Sequence, residues 1–324
     1  MVVIKAFPED FVVEETGSPE PSGSGPFAYF VLQKRGWNTL DALETIGAKV
    51  GAPLSAFGWA GNKDKQAVTT QVCSVKNVSG EKLEALSING ITITYLGQGS
   101  RPIALGLHTG NTFRIVIRDI DALPAIEPQF VNYFGEQRMG SHNAIIGRCL
   151  VKREFGIALK HLVEETDRGS ALRRVLEKNP NDIIGALRTV PTRLLILYIH
   201  AYQSSLWNAH AALLSKHGYQ DIDVPLVGFA MTESQLETFS HLREQLKAEG
   251  ITPRDFVIRQ FPELSSEGAT RALFAAAKAL SVGPLQDDEM RPAKKKVTVS
   301  FTLDKGAYAT EFVRQAFSVS QDLH

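Results

Sequence analysis

The segment GNKDKQAVTTQ, residues 61–71, sets one carboxylate, Asp64, between two ammonium groups, Lys63 and Lys65, ahead of a Thr-rich extended run. Flanking cations favour the ionised form of an acid. An ionised aspartate suits a nucleophile or an electrostatic stabiliser, and not a general acid, which must hold its proton until it is needed. A solvated surface turn would present the same residues. Neighbouring side chains on a strand point to opposite faces, so both lysines could also miss the carboxylate. A second segment, NYFGEQRMG at 132–140, puts Tyr133 and Phe134 beside a glycine and follows them with Arg138. Aromatic faces stack on unpaired bases and arginine takes phosphate; the same two aromatics could equally be core residues next to a turn. Trp207 in SSLWNAH reads as core. GAYATEFVRQ, 306–315, is a glycine turn followed by Tyr308 and Arg314, and packing explains it as well as binding does. GQGSRP lacks the third glycine of a dinucleotide fingerprint, and no phosphate-binding Walker loop is present.

Elements must hold these groups in place. DFVVEE and FAYFVLQK read as strands separated by the Gly/Pro/Ser loop GSPEPSGSGP. NTLDALETIGAKVG reads as a helix capped by Asn38 or Thr39, with Leu40, Leu43, Ile46 and Val50 at helical spacing and Gly51 as its stop. AFGWAGNKDKQAVTTQVCSVKNV reads as strand, loop, strand, so Asp64 sits on the loop. ITITYLGQG and TFRIVIRDI alternate with period two. From about residue 153 the patterning turns helical, most strongly in RLLILYIHAYQSSLWNAHAALLSKHG. DVPLVGFAM suggests a strand and TRALFAAAKAL another helix. KKVTVSFTLDKGAYATEFVRQAFS returns to strand, turn and helix, and its strand is expected to rejoin the N-terminal sheet. These readings predict an α+β protein with a first domain made of 1–152 and 283–324, which is the catalytic domain if the chemistry sits at Asp64, carrying an inserted helix-rich domain at 153–282.

Composition sets outer limits. The chain has 324 residues, 44% hydrophobic and 22% charged, an ordinary globular balance. The opening MVVIKAFPEDF has acids where a secretory leader would be apolar, and the run LLILYI is far too short to span a bilayer. The two cysteines, Cys73 and Cys149, are expected as reduced buried thiols, with no metal and no redox site, in a cytoplasmic protein. Net charge is zero, 35 basic groups against 35 acidic, which by itself counts against nucleic-acid binding. The distribution is uneven, with acid-free basic runs at 97–118, 138–153 and 291–296 that could form one positive face or be compensated by acids elsewhere.

Taken in order, KAFPEDFVVEE, SGSG, QKRGWNT, GWAGNKDKQAVTTQ, NYFGEQRMG, LYIHAYQSSLWNAH and FTLDKGAYATEFVRQ resemble the TruD family of tRNA pseudouridine synthases. The resemblance implies a pseudouridine-synthase fold with a largely antiparallel mixed sheet and an inserted domain. It implies that uridine in tRNA, at position 13, becomes pseudouridine, with no cofactor, tRNA as partner and a monomeric enzyme. It implies that Asp64 is catalytic, that Lys5, Phe11, Asn132 and Phe134 lie at the substrate, with Phe134 stacked on the uracil, and that Lys63 holds phosphate or orients Asp64. Tyr308 stands where the family often has phenylalanine, and Arg138 is expected at the substrate from its residue type, as a phosphate ligand. Pro26 and Phe27 follow the SGSG glycines where the family leads one to expect a histidine.

Two other classes are compatible with these residues. One is a non-catalytic RNA-binding or tRNA-folding protein of the same fold. The other is a hydrolase pairing Asp64 with Glu136, as glycosidases pair acids; it would want a tryptophan-rich groove, and the tryptophans are scattered at 37, 59 and 207.

Overall fold

The computed structural model describes residues 2–135, 142–165 and 169–317. It divides into two compact units, Met1–Phe130 with Ala276–His324, and Val131–Ala275. The crossings thus fall at 130/131 and 275/276, against the 152/153 and 282/283 expected from patterning. Among the described residues no helix is long and apolar enough to cross a membrane.

The first unit is built on strands β1 (Phe11–Thr16), β2 (Phe27–Arg35), β3 (Phe57–Trp59), β4 (Val68–Lys76), β5 (Ile91–Gly99) and β6 (Gly110–Ile120), with helices α1 (Thr39–Val50) and α2 (Gly80–Glu84) between them. β7 (Gln129–Val131) leaves it. Along the described chain its sheet runs β11-β13-β6-β1-β4-β2-β5, with β12 on β13 and β3 on β4. β11 (Lys278–Val282), β12 (Gln286–Asp287) and β13 (Lys295–Asp304) come from the far end of the chain and are followed by α10 (Ala309–Phe317). The return of β13 to β6 is the expected closure, with Phe301 opposite Phe113. Pairing is antiparallel apart from β1 with β4, which run parallel, Val12 opposite Val68.

Alternation explains the core. Ala28, Phe30 and Leu32 of β2 face Ala42, Leu43 and Ile46 of α1, and all are fully buried. Asn38 caps α1 by accepting the Asp41 N–H, and Gly51 ends it at φ 77°, where a side chain would be strained. Phe11, Phe113, Phe301 and Phe312 form a chain of ring contacts from β1 through β6 and β13 to α10, with centroids 4.5–6.0 Å apart.

The second unit contains α3 (Asn143–Val151), α4 (Phe155–Glu165), α5 (Gly169–Lys178), α6 (Ile183–Leu187), α7 (Thr192–Lys216), α8 (Glu233–Thr238) and α9 (Ser240–Glu249), with the ribbon β8 (Asp223–Leu226) and β9 (Ala269–Ala272). β10 (Phe274–Ala276) carries the chain back. α3 belongs here because its Ile146 and Leu150 enter one core with Tyr198, Ile199 and Tyr202 of α7. The helices cross closely at Gly147, where a Cβ would stand 1.9 Å from the Tyr198 carbonyl oxygen. Both cysteines are buried and unbridged.

One expectation is overturned. TRALFAAAKAL holds no helix and is split among the strands β9, β10 and β11, with breaks at Leu273 and Ala277. Its alanines favour helix, but local propensity is a weak prior that tertiary pairing overrides. Pairing Ala269–Ala272 with Asp223–Leu226, and Lys278 with Thr302, satisfies the backbone instead.

Buried in α7 is His210, fully inaccessible, with neither ring nitrogen hydrogen-bonded. Burial, reinforced by His241, brings its pKa down to about 4. The unfolded imidazole titrates near 6.5, so His210 contributes stability that is complete above that pH and is lost as pH falls toward the folded value. The wild-type protein should lose about 2–3 kcal/mol more than His210→Leu between pH 7 and pH 4.5 in urea unfolding. Equal losses would show that the imidazole is not held neutral.

Candidate active site

Because β1 and β4 are parallel neighbours, the segments that lead into them emerge at the same edge of the sheet. Lys5 precedes β1 and Asp64 precedes β4, and the two side chains meet there, Lys5 Nζ standing 2.5 Å from Asp64 Oδ2. β2 runs antiparallel to β4 and ends at this same edge, with Lys34 opposite Thr69. The Asp64 side chain is 38% exposed and that of Lys5 13%, so the carboxylate is open to a ligand while its cation is held from behind. Lys5 adopts φ 60°, and its ammonium lies 4.2 Å from the centroid of the Phe11 ring. Phe11 is itself buried. Its role here is to floor the Lys5 ammonium by a cation–π contact.

The Lys5 strap is anchored by a buried ion network. Arg118 donates from Nε and Nη2 to the two oxygens of Asp10, both at 2.9 Å, and from Nη1 to Asp288 at 3.0 Å. Val3 exchanges backbone hydrogen bonds with Arg118. Burial would push the Asp288 carboxyl up, but donors from Met290, Arg118 and Asp119 hold it below its ordinary range.

The Asp64 loop rests on three buried polar side chains. Gln71 Nε2 donates to the Gly61 carbonyl at 3.0 Å. Thr39 Oγ1 accepts the Lys63 N–H at 2.9 Å and donates to Gln71 Oε1. Lys34 Nζ donates to the carbonyls of Trp37, Lys63 and Asp64 at 2.6, 3.2 and 2.9 Å. Sequence reasoning missed these residues. The signal available was a lysine at an inward position of the alternating strand Phe30-Leu32-Lys34.

The flanking-lysine clamp is not what forms. Lys63 turns its ammonium to Glu15, 2.7 Å away, and both side chains are almost wholly buried. Lys63 is therefore taken up by an internal ion pair and does not reach the Asp64 carboxylate as expected, and Lys65 is exposed. The cations that attend Asp64 are Lys5 at the carboxylate and Lys34 at its backbone.

In the second unit Asn132 and Phe134 are brought together by Arg271 of β9. Arg271 Nη2 donates to Asn132 Oδ1 at 2.5 Å and Nε to the Asn132 carbonyl at 2.7 Å. The guanidinium lies 4.2 Å from the Phe134 ring centroid, and Trp207 meets that ring edge-on at 5.5 Å. Asn208 exchanges hydrogen bonds with the Phe134 backbone. Phe134 and Trp207 are buried, so both have the packing that a core reading anticipates. Arg271 was hidden from sequence reasoning by the helical reading of its segment. Tyr308 lies on the turn between β13 and α10, where its carbonyl accepts the N–H groups of Glu311 and Phe312. Arg138 and Glu136 lie outside the described residues.

The basic runs are largely compensated. In the run at 291–296, Arg291 pairs with Asp119, Lys294 with Asp121, Lys295 with Asp287 and Lys296 with Glu289. Arg118 is internal, while Arg148 and Arg153 pair with Glu249 and Asp255. Among the described residues the run at 291–296 is therefore compensated by acids, and Arg118, Arg148 and Arg153 are engaged in ion pairs.

The family model for tRNA pseudouridine synthase D (TruD) matches residues 2–173, 168–220 and 209–316. The chain belongs to the TruD family. It is 28% identical over 384 aligned positions to tRNA pseudouridine synthase D of Aquifex aeolicus, covering 97% of each protein. A crystal structure of a TruD candidate from Methanosarcina mazei matches with a TM-score of 0.75 at 23% identity, covering 98% of this chain and 93% of that one, and supports the fold. The mixed, largely antiparallel sheet is thus that of a TruD protein, and the enzyme class is that of the pseudouridine synthases.

Proposed function

We propose that this chain converts uridine-13 of tRNA to pseudouridine, working as a cytoplasmic monomer without a cofactor and using Asp64 as its catalytic carboxylate. The observation that carries this reading is the partly open Asp64 carboxylate paired with Lys5 on a loop fixed from beneath. The reaction breaks the C1′–N1 bond, turns the uracil and joins C5 to C1′; the C5 proton is lost and N1 gains one, with no net redox change. Attack at C1′, addition to the ring and assisted glycal formation each require an ionised carboxylate and an extruded base. Lys5 pairs with the Asp64 carboxylate, and Phe11 holds Lys5. Asn132, Phe134 and Tyr308 are assigned the RNA-contacting roles that the family resemblance implies, and Arg138 the phosphate contact that its residue type implies. Extrusion costs about a few kcal/mol, offset by phosphate contacts and by stacking of about 1–3 kcal/mol per base.

The test uses tRNA carrying tritium at C5 of its uridines. Catalysis should release one label to water per tRNA, from position 13, with a new pseudouridine mapped there. Binding of tRNA with no release would favour the non-catalytic RNA-binding alternative.

A further inference from the structure

Lys34 is an unusual group to find where it is. Its side chain is fully buried on the α1-facing side of β2, in line with Phe30 and Leu32. An ammonium has three N–H donors and no acceptor, and here three carbonyls take them. Two of those carbonyls belong to Lys63 and Asp64. Thr39 and Gln71 hold the earlier part of the loop, and neither titrates. The charged and titratable groups around Lys34 are Asp64 and Lys63 from the loop and Cys73 from β4; α1 presents the neutral Thr39.

We propose that Lys34 is a positioning residue for the reaction, its ammonium fixing the backbone of Asp64 so that the carboxylate is held at the reacting position only while Lys34 keeps its proton. This rests on Asp64 being the catalytic carboxylate. A neutral amine would offer two donors to three carbonyls and turn a lone pair toward the third, so the loop would lose a charge-assisted anchor. Burial lowers the Lys34 pKa to about 8, with Lys63 acting in the same direction and Asp64 opposing it. The loss of the anchor therefore falls close to working pH. Lys34 touches no substrate in this account. It acts through the Asp64 main chain.

The experiment measures single-turnover tritium release from 5-labelled tRNA at saturating enzyme, with KM from steady-state runs, between about pH 6.5 and pH 9.5. The wild-type rate should fall about tenfold per pH unit above about pH 8, as one lost proton requires. Lys34→Met, checked for folding by its thermal transition, should lose about 100-fold in rate, leave KM for tRNA within about threefold and show no descending limb near pH 8. Lys34→Arg, which keeps a permanent charge and donors, should move that limb out of range. A Lys34→Met enzyme of near-normal rate, one changed in KM alone, or one that keeps the wild-type limb would overturn the proposal. If neither variant folds, a flat wild-type profile overturns it and a single-proton limb near pH 8 supports it. Should Asp64→Asn keep full activity, the underlying reading fails; should Asp64→Asn be inactive while Lys34→Met is normal, only this inference fails.

Discussion

Asp64→Asn is expected to bind tRNA with near-normal affinity and to form pseudouridine at a rate lowered by on the order of 10⁴-fold or more, the scale on which removing a catalytic nucleophile acts. The substitution is nearly isosteric. Its amide oxygen can still accept from Lys5, and the main-chain bonds from Lys34 are untouched, so loop geometry should survive. What disappears is the negative charge and the basic oxygen. Pseudouridine mapping after overnight incubation, alongside filter binding of the same tRNA, checks both halves. Normal turnover by this variant would refute the assignment of Asp64. Loss of binding as well as turnover would mean that the carboxylate organises the protein more than the chemistry.

The largest stability effect is expected at Arg118. Arg118→Met leaves Asp10 and Asp288 buried without their cation, each only 3–4% exposed. Breaking one partner out of a buried pair costs about 3–5 kcal/mol, because the remaining charge is stranded in a poorly solvating interior. For a unit of this size that corresponds to a fall in Tm of roughly 10 °C. The triple variant Arg118→Met, Asp10→Leu, Asp288→Leu should recover much of the loss, since it removes both buried carboxylates with their cation and leaves only the half-exposed Glu289. Calorimetry of the three proteins decides. A single-variant loss below about 1 kcal/mol would show that water reaches the carboxylates. Activity should fall too, because the same guanidinium positions the strap that carries Lys5.

These two effects differ in how visible they were beforehand. Asp64 stood out from its neighbours in the sequence, in a motif with a recognisable family pattern. Arg118 looked like one more member of a basic run. Its acids lie 108 and 170 residues away in the chain, and nothing local announces them. The run at 291–296 left two readings open for the same reason, and Asp119, Asp121, Asp287 and Glu289 opposite it decide for compensation.

Sequence alone determined the features that depend on neighbours a few residues apart. Asn38 and Gly51 bracket α1 because a helix end needs a side-chain acceptor and a left-handed stop. The alternation in β5 and β6 marked strands, and the segment KKVTVSFTLD was legible as a strand that returns to the sheet. Tertiary structure decided what depends on partners far along the chain. The parallel pairing of β1 with β4 delivers Lys5 to Asp64 across 59 residues. Glu15 draws Lys63 away, Lys34 turns inward beneath the loop, and an alanine-rich stretch becomes strand because paired backbones outweigh a local helical preference. Local propensity acts over a turn or two of chain, whereas charge pairing and strand pairing act through space.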